Sequence, residues 1–384
     1  MAASPDDLRL SASQLEAIRD ALKARVAEGL ADDSREIAAL PAFLPPPPAD
    51  LSGEAVVVDL GGTNLRAARV HLGLRGDFRV VEGPVKDELM MRDDAPTTRS
   101  AFFDRQARLV DRLNVDWPKP IGYVFSFPSE VQPDRDALLL RWTKDISIPG
   151  VIGTRVGAGL AEALDRKHCE PTAITVLNDT VAAMMGGAHQ FEGPARNVVG
   201  LIAGTGTNMA AFYGPDEAPK LAQRGVESPI AVNLESGNFN PPHLTAWDDA
   251  LDAESSNPGQ QRFEKAVSGH YLPLLYARMS GRDPVANTGA LVDLRAQGGE
   301  LGELAGALLA RSADLVAAGL AAVVDGCSDG PVGILAEGGL FWGDPAFAPR
   351  VKARLGELVE DREVRILHLE DANLVGAAAA ALSN

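Results

Sequence analysis

Residues 55–72 read AVVVDLGGTNLRAARVHL, and this stretch decides how the chain folds. An apolar run interrupted only by Asp59 leads into the turn Gly61-Gly62-Thr63-Asn64, and a second apolar-rich run follows. Short runs rich in β-branched residues and closed by glycine are typical of buried strands. The stretch therefore predicts two strands, Ala55–Leu60 and Leu65–Leu72, that form a hairpin with the glycine turn at its tip.

A second stretch of the same design lies in the other half of the chain. Residues 198–203 are apolar, Gly204-Thr205-Gly206-Thr207-Asn208 follows them, and residues 209–213 are again strand-like. Thr-Asn comes after the glycines in both stretches. We interpret the two hairpins as copies and predict a duplicated α/β fold with a cleft between two lobes. Chance recurrence of a Gly-Thr-Asn turn is the alternative.

Both glycine turns are suited to phosphate. Their backbone N–H groups can converge on an anion, because glycine lets the chain approach closely. The sequence contains neither a G-x-x-x-x-G-K-[ST] loop nor a strand–GxGxxG–helix unit, and it lacks the protein-kinase catalytic loop. We therefore predict a nucleotide held between the two hairpins.

Two carboxylates lie where predicted strands end. Asp59 adjoins the first glycine turn. A buried carboxylate needs a partner, and Mg²⁺ bound through water would supply one. The alternative is an aspartate that forms the turn by bonding to its own backbone. Asp179 follows the apolar residues 174–177, and open α/β sheets bind ligands at such strand ends. For an isolated Asn-Asp-Thr, helix capping would be the better interpretation of Asp179.

Composition excludes several classes of protein. The 384 residues, long enough for two domains, carry 36 basic and 53 acidic side chains, and a net charge of -17 disfavours nucleic-acid and membrane partners. Cys169 and Cys327 are too few for a disulfide framework or a zinc cluster, and neither HExxH nor G-x-S-x-G occurs. The acidic N-terminus does not resemble a signal peptide, and no run reaches the roughly 18–20 apolar residues of a membrane span, so we expect a cytoplasmic protein.

The first fifty residues predict a helix and a linker. Ser11 can cap the helix while Gln14 reaches back to it, and the helix should end near Gly29. The prolines of residues 44–48 exclude helix and central strand, so this segment should be a stiff linker into the first domain.

Taken together and in this order, the segments resemble the hexokinase family. The resemblance covers most of residues 8–380. Its motifs are VDLGGTNLR (58–66), GYVFSFP (122–128), WTK (142–144), NDT (178–180) with Met184-Met185, GLIAGTGTN (200–208), and the segment from Leu244-Thr245 through NPGQQ (257–261) and FEK (263–265) to Ser268-Gly269.

The resemblance implies a fold and an activity. The fold would be the duplicated actin-like, ribonuclease H-like ATPase fold of class α/β, closing two lobes on sugar and ATP. The activity would be transfer of a phosphoryl group from Mg-ATP to the 6-hydroxyl of a hexose, as in glycolysis; glucose, mannose, fructose or an amino sugar are the candidates. The implied domains are residues 1–54, a helix and linker packing on the large lobe; residues 55–177 with the C-terminal helix 372–384, the small lobe; and residues 178–371, the large lobe.

The resemblance also implies roles for individual residues. Asp179 would be the general base, and Lys144 and Arg66 would offset charge on the transferring phosphoryl group. The sugar would be held by Ser126, Thr143, Lys144, Asn178, Asp179, Asn208, Glu235 and Glu264. The nucleotide would be held by Asp59, Gly61, Gly62, Thr63, Asn64, Gly204, Thr205, Gly206, Gly338 and Gly339, with Asp59 organising Mg²⁺.

The sequence departs from the family pattern at three places. Ser236–Asn240 replaces Trp-Gly-Ala-Phe-Gly, and Asp145-Ile146-Ser147 stands where Gly-Phe is usual; both flank the predicted sugar pocket. Asp371–Gly376 replaces Gly-Ser-Gly-Lys-Gly before the last helix. The alternatives are a repressor/kinase-type sugar kinase, which needs a cysteine-rich zinc motif, a sugar sensor that has lost catalysis, and an actin- or chaperone-like ATPase without a small-molecule acceptor.

Overall fold

The computed structural model describes residues 4–33, 35–61, 64–74, 76–87, 98–143, 146–360 and 362–383. Its α-helices are α1 (Ala12–Ala31), α2 (Arg99–Asp111), α3 (Val156–Asp165), α4 (Asp179–Gln190), α5 (Pro219–Gln223), α6 (Ala246–Ala253), α7 (Arg262–Val267), α8 (Leu272–Ser280), α9 (Thr288–Gln297), α10 (Gly299–Val324), α11 (Gly339–Gly343), α12 (Phe347–Leu358) and α13 (Ala372–Leu382). Its strands are β1 (Leu40–Pro41), β2 (Gly53–Leu60), β3 (Leu65–Leu72), β4 (Phe78–Asp87), β5 (Lys119–Phe125), β6 (Ser129–Val131), β7 (Ala137–Leu139), β8 (Pro171–Leu177), β9 (Val198–Ala203), β10 (Thr207–Tyr213), β11 (Ile230–Asn233), β12 (Val332–Glu337) and β13 (Val364–Leu367). Short 3₁₀ turns cover Pro5–Leu8, Ala195–Asn197 and Ser236–Asn238.

Two sheets repeat one strand order. The first runs β4-β3-β2-β5-β8, and the second runs β11-β10-β9-β12-β13 with β1 added at its edge. In each sheet the first three of these strands are antiparallel and the last two join in parallel. The shared order is that of a duplicated unit, as the sequence predicts.

Both predicted hairpins form. Asp59 of β2 pairs in register with Arg66 of β3, and Thr207 of β10 pairs with Ala203 of β9. The first strand begins at Gly53, two residues before its predicted start, and is buried from Ala55 to its end. A strand covered on both faces needs apolar side chains at consecutive positions, which is why this run does not alternate.

Alternate residues of β2 pack into different apolar cores. Val57 belongs to a middle core that lies between the two sheets around α4 and α13. Val56 and Val58 point the other way, into a core that α2 and α3 cover. A third core lies on the outer face of the six-stranded sheet beneath α1, α10 and α12.

Helices α4 and α13 cross between the sheets. The helix α4 follows β8 of the five-stranded sheet but packs on β9, β10 and β12, whereas α13 follows β13 and packs on β2 and β5. Glycine makes their contact close, because a Cβ built on Gly376 would lie 1.7 Å from the Ala182 carbonyl oxygen. This crossing places Asp179, the first residue of α4, between the two sheets. The division into lobes given above stays a prediction.

The N-terminal helix begins as predicted and ends later. Ser11 and Gln14 form the capping box, but α1 continues to Ala31. Gly29 does not end the helix; it allows a close approach, since a Cβ there would lie 2.1 Å from the Ile37 carbonyl oxygen. The helix packs on α10.

Among the described residues α10 has the length and composition nearest to a membrane span, although Arg311 and Asp314 interrupt its apolar run. Gly299–Val324 is long and apolar enough to cross a membrane by length and composition. Its most apolar 18-residue window is 89% buried inside the protein, against α1, α8, α9 and α12. A helix surrounded by other helices is apolar on all sides, and its sequence alone does not reveal which surroundings it has.

Candidate active site

The second glycine turn meets two other segments of the chain. A Cβ built on Gly204 would lie 3.2 Å from the Gly338 Cα atom, so the turns that follow β9 and β12 touch. Gly269 donates its N–H to the Gly204 carbonyl at 2.7 Å, and His270 donates to the Thr205 carbonyl at 3.1 Å. The structure therefore brings the predicted residues Gly204, Thr205 and Gly338 to one place.

A cavity of about 490 Å³ opens beside these turns. Gly204, Thr205 and Gly339 line one part of it, and the start of α9 at Asn287-Thr288 lines another. Exposed backbone N–H groups at glycine turns and helix N-termini attract anions. The cavity thus brings two glycine turns and one helix N-terminus together.

The first turn is described only in part. Gly61 donates its N–H to the Asn64 carbonyl at 3.0 Å, which closes the hairpin tip. Gly62 and Thr63, both predicted to bind nucleotide, lie outside the described residues.

Asp59 and Arg66 form an ion pair next to the tip of this hairpin. Arg66 Nη2 lies 2.5 Å and Nε 3.1 Å from Asp59 Oδ2, and Arg66 Nη1 lies 3.1 Å from Asp371 Oδ1. Burial raises the pKa of Asp59, which is 6% exposed; the Arg66 guanidinium opposes this shift and the negative charge of Asp179 adds to it. Asp179 therefore lies close enough to the first turn to act on its carboxylate.

A second group of polar side chains, two amides and one carboxylate, is linked by hydrogen bonds. Asn208 donates to Asn233 Oδ1 at 2.7 Å, and Asn233 donates to Glu235 Oε1 at 2.7 Å. Burial raises the pKa of Glu235, the Asn233 hydrogen bond opposes this shift, and the charge of Asp179 adds to it. Asp179 thus lies within electrostatic reach of both Asp59 and Glu235.

Asn233 was not among the predicted site residues. Together with Asn178 and Glu235 it lines a small cavity between the sheets. Its position two residues before Glu235, at the end of β11, was the only signal in the sequence.

Glu264 reaches the second turn from α7. Its Oε2 accepts a hydrogen bond from the Thr207 N–H at 3.1 Å. A Cβ built on Gly206 would lie 2.9 Å from the same oxygen, so glycine at this position leaves room for the carboxylate. Glu264 is therefore placed beside both Asn208 and the glycine turn.

Asn178 caps the start of α4. Its Oδ1 accepts the Thr180 N–H at 2.8 Å and makes Asn178 the N-cap residue. Asp179 is the first helical residue; its Oδ1 also accepts the Thr180 N–H at 2.8 Å, and its side chain is half-buried. The alternative interpretation of Asp179 as the capping residue is thus wrong in its main part, since the cap is its neighbour.

Three further predicted residues follow β5 of the five-stranded sheet or β7, which pairs with β6 in a small separate sheet. Ser126 comes directly after β5 and donates its N–H to the Leu60 carbonyl at 3.1 Å, which holds it at the end of β2. Thr143 is half-buried in the loop after β7. Lys144 lies outside the described residues.

Glu337 is a second residue that the sequence did not indicate. It ends β12, just before Gly338. Burial raises its pKa to about 7; Arg66 opposes this shift, and the charges of Asp371 and Asp59 add to it. Arg66 pairs with Asp59 and Asp371, and Glu337 adds a third carboxylate near the same guanidinium, so negative charge exceeds positive charge here.

We expect Glu337→Gln to stabilise the protein at about pH 8 but not at about pH 4.5. The folded-state pKa of about 7 exceeds the ordinary value of 4.5, so wild-type stability falls as the pH rises between these values and stays lower above them. Glutamine does not ionise and removes this loss, about 1–2 kcal/mol after allowance for solvent screening. Urea unfolding at both pH values measures the difference in unfolding free energy between Glu337→Gln and the wild type. The exposed Glu303→Gln on α10 is the control, and an equal response of both variants would contradict the prediction.

Comparison with known proteins shows the family. Two family models described as Hexokinase match residues 3–189 and residues 198–280 with 300–383. Hexokinase-2 of Candida albicans is 32% identical over 284 residues, 70% of this chain and 57% of that protein. Hexokinase of Kluyveromyces lactis is 33% identical over 234 residues, 58% of this chain and 48% of that protein. The chain thus spans about half the length of these two relatives.

Solved structures show the fold. A hexokinase from Schistosoma mansoni complexed with glucose superposes with a TM-score of 0.82 at 25% identity, covering 99% of this chain and 97% of that one. A ROK hexokinase from Thermus thermophilus superposes with a TM-score of 0.57 at 20% identity, covering 86% and 98%, and supports the fold alone. The fold is the duplicated, two-lobed actin-like ATPase fold. Because the two family models together match both halves of it, the chain belongs to the hexokinase family.

Proposed function

We propose that this protein phosphorylates a hexose at its 6-hydroxyl with ATP as donor and Asp179 as general base. The observation that carries the proposal is the position of Asp179, whose charge acts on Asp59 at the first glycine turn and on Glu235 at the end of β11. A base for phosphoryl transfer must lie between donor and acceptor. With the nucleotide beside Asp59 and the sugar beside Glu235, Asp179 would meet this requirement.

The nucleotide would bind in the cavity beside the second glycine turn. The turn of residues 204–206 and the start of α9 would face the phosphates, and Gly338 and Gly339 would border the adenosine. At the first turn, Gly61 and Asn64 with Gly62 and Thr63 would hold the transferring end, where Arg66 offsets its charge.

Mg²⁺ would be held at Asp59 through water. The donor set fits this mode, since one buried carboxylate already paired with Arg66 can hold a hydrated ion but not a bare one. Among the described residues no group of three or more His, Cys, Asp and Glu side chains is arranged to bind a metal directly. When bound, the ion would neutralise charge on the β- and γ-phosphates.

The sugar would occupy the region between Asp179 and the chain of polar groups. Asn178, Asn208, Glu235 and Glu264 would accept and donate hydrogen bonds to its hydroxyls, and Ser126, Thr143 and Lys144 would approach from the other side. The carboxylates of Glu235 and Glu264 are half-buried, and hydroxyl donors from the sugar would stabilise their charge. Asn233 would orient both Asn208 and Glu235.

The chemical step moves one proton and one phosphoryl group. Asp179 accepts the proton of the 6-hydroxyl as the oxygen forms a bond to the γ-phosphorus. The bond from that phosphorus to the bridging oxygen breaks, and ADP leaves. Water could compete as acceptor, so the lobes should close only around a bound sugar.

A coupled assay of ADP release tests the activity. Purified full-length protein with Mg-ATP is offered glucose, mannose, fructose, glucosamine and N-acetylglucosamine in turn. We expect sugar-dependent ADP release, with glucose the first candidate because the Schistosoma mansoni relative was solved with glucose. Binding of a hexose with no ADP release would instead favour the sugar sensor, and ADP release without any sugar would favour an ATPase.

A further inference from the structure

The buried Lys265 of α7 forms hydrogen bonds with residues 252–257, at the end of α6 and in the loop that precedes α7. Lys265 is 3% exposed, and its Nζ donates to Asp252 Oδ1 at 2.6 Å, Ser255 Oγ at 2.8 Å and the Asn257 carbonyl at 2.9 Å. All three donors of the ammonium group are used by residues 252–257. The loop and the helix are therefore held as one unit.

The partner carboxylate is fully engaged as well. Asp252 Oδ2 accepts the Gly259 N–H at 2.9 Å and lies 2.9 Å from Arg262 Nη1. Asp252 thus joins α6, the loop and two side chains of α7. A helix of one or two turns has little stability by itself, so these contacts set its orientation.

The orientation of α7 decides where Glu264 points. Glu264 and Lys265 are adjacent, and adjacent residues of a helix point about 100° apart. With the Lys265 side chain held in the loop, the Glu264 carboxylate is turned toward Thr207 and Gly206. Rotation of α7 would withdraw it from the second glycine turn.

We propose that Lys265 is a positioning residue of this enzyme: its buried pair with Asp252 holds Glu264 between the sugar pocket and the second glycine turn. This inference rests on the proposed function, in which Glu264 binds the sugar. Lys265 touches neither substrate in this arrangement and acts through Glu264. Its loss should therefore weaken hexose binding and should do so only while Glu264 is present.

The first experiment is hexose binding to Lys265→Met by calorimetry without nucleotide, which reports position rather than turnover. We expect a dissociation constant about ten times that of the wild type. The matched control is Lys220→Met, because Lys220 is also 3% exposed and is held by other partners, the Ala38 carbonyl at 2.7 Å and Asp33 Oδ1 at 3.4 Å. Both variants should lose thermal stability, but Lys220→Met should keep the wild-type affinity for hexose. Equal weakening in both would overturn the proposal.

A double-mutant cycle with Glu264→Gln separates positioning from a general loss of structure. We expect Lys265→Met to change hexose affinity less than about twofold in the Glu264→Gln background; fully additive effects would overturn the proposal. If Lys265→Met does not fold, Asp252→Asn, which keeps the side-chain volume, replaces it in the same cycle. Absence of hexose binding by the wild-type protein would contradict the proposed function. Wild-type hexose affinity in Lys265→Met would contradict only the role of Lys265.

Discussion

Asp179→Ala should lower the turnover number by about 10³-fold, within the 10²–10⁴-fold range of general acid–base catalysis, and change hexose affinity by less than about threefold. In the proposed mechanism this carboxylate takes the proton of the attacking hydroxyl, and alanine cannot accept it. Its side chain makes hydrogen bonds to the N–H and hydroxyl of Thr180, while the helix cap is provided by Asn178. Removing it therefore leaves α4 and the polar groups around the sugar in place.

The measurement is steady-state ADP release together with calorimetric binding of the preferred hexose. Asp179→Asn is the matched variant, because its amide oxygen can still accept the Thr180 N–H but the side chain cannot take a proton. Both variants should bind hexose and show equally low turnover. Near-wild-type turnover in either would remove Asp179 from the role of base.

Gly338→Ala should cost about 3 kcal/mol or more of unfolding free energy and weaken ATP binding by at least about tenfold. Gly338 has φ = 124°, a region that residues with a Cβ rarely adopt. A Cβ there would also lie 2.3 Å from the Ala203 carbonyl oxygen and 2.7 Å from the Gly204 nitrogen. Relief of this clash must push the turn after β12 away from the second glycine turn, which lines the proposed nucleotide cavity.

Gly339→Ala is the control for the folding part of this prediction. A Cβ on Gly339 meets open space among the described residues, so this variant should unfold like the wild type. Urea unfolding gives the first quantity and calorimetry with a non-hydrolysable ATP analogue gives the second. Equal unfolding free energies for the two alanine variants would contradict the predicted clash.

Local sequence was sufficient where the relevant contacts are local. The hairpins around residues 61–64 and 204–206 were predicted because strand, glycine turn and strand are consecutive in the chain, and the register of Asp59 with Arg66 follows from the turn. The capping box of Ser11 was predicted for the same reason. The family resemblance added the roles of Asp179, Glu235 and Glu264, which their own surroundings in the sequence did not indicate.

Contacts between residues far apart in the chain could not be predicted from the local sequence. Arg66 pairs with Asp371, which lies 305 positions away, and Glu337 joins the same cluster from a third segment. The first helix was predicted to end near Gly29 and ends at Ala31, but only the structure shows that Gly29 makes room for the Ile37 carbonyl. The apolar composition of α10 is explained by the helices that surround it. In each case the side chain acquires its role from a neighbour that folding supplies.

The sequence by itself determined the two glycine hairpins, the duplicated α/β plan and the family, because these depend on the order of nearby residues. Only the tertiary structure decided that α4 and α13 cross to opposite sheets, which puts Asp179 within electrostatic reach of both Asp59 and Glu235. The physical reason is that this crossing depends on packing between segments far apart in the chain, where Gly376 meets Ala182 at a distance that no side chain could occupy.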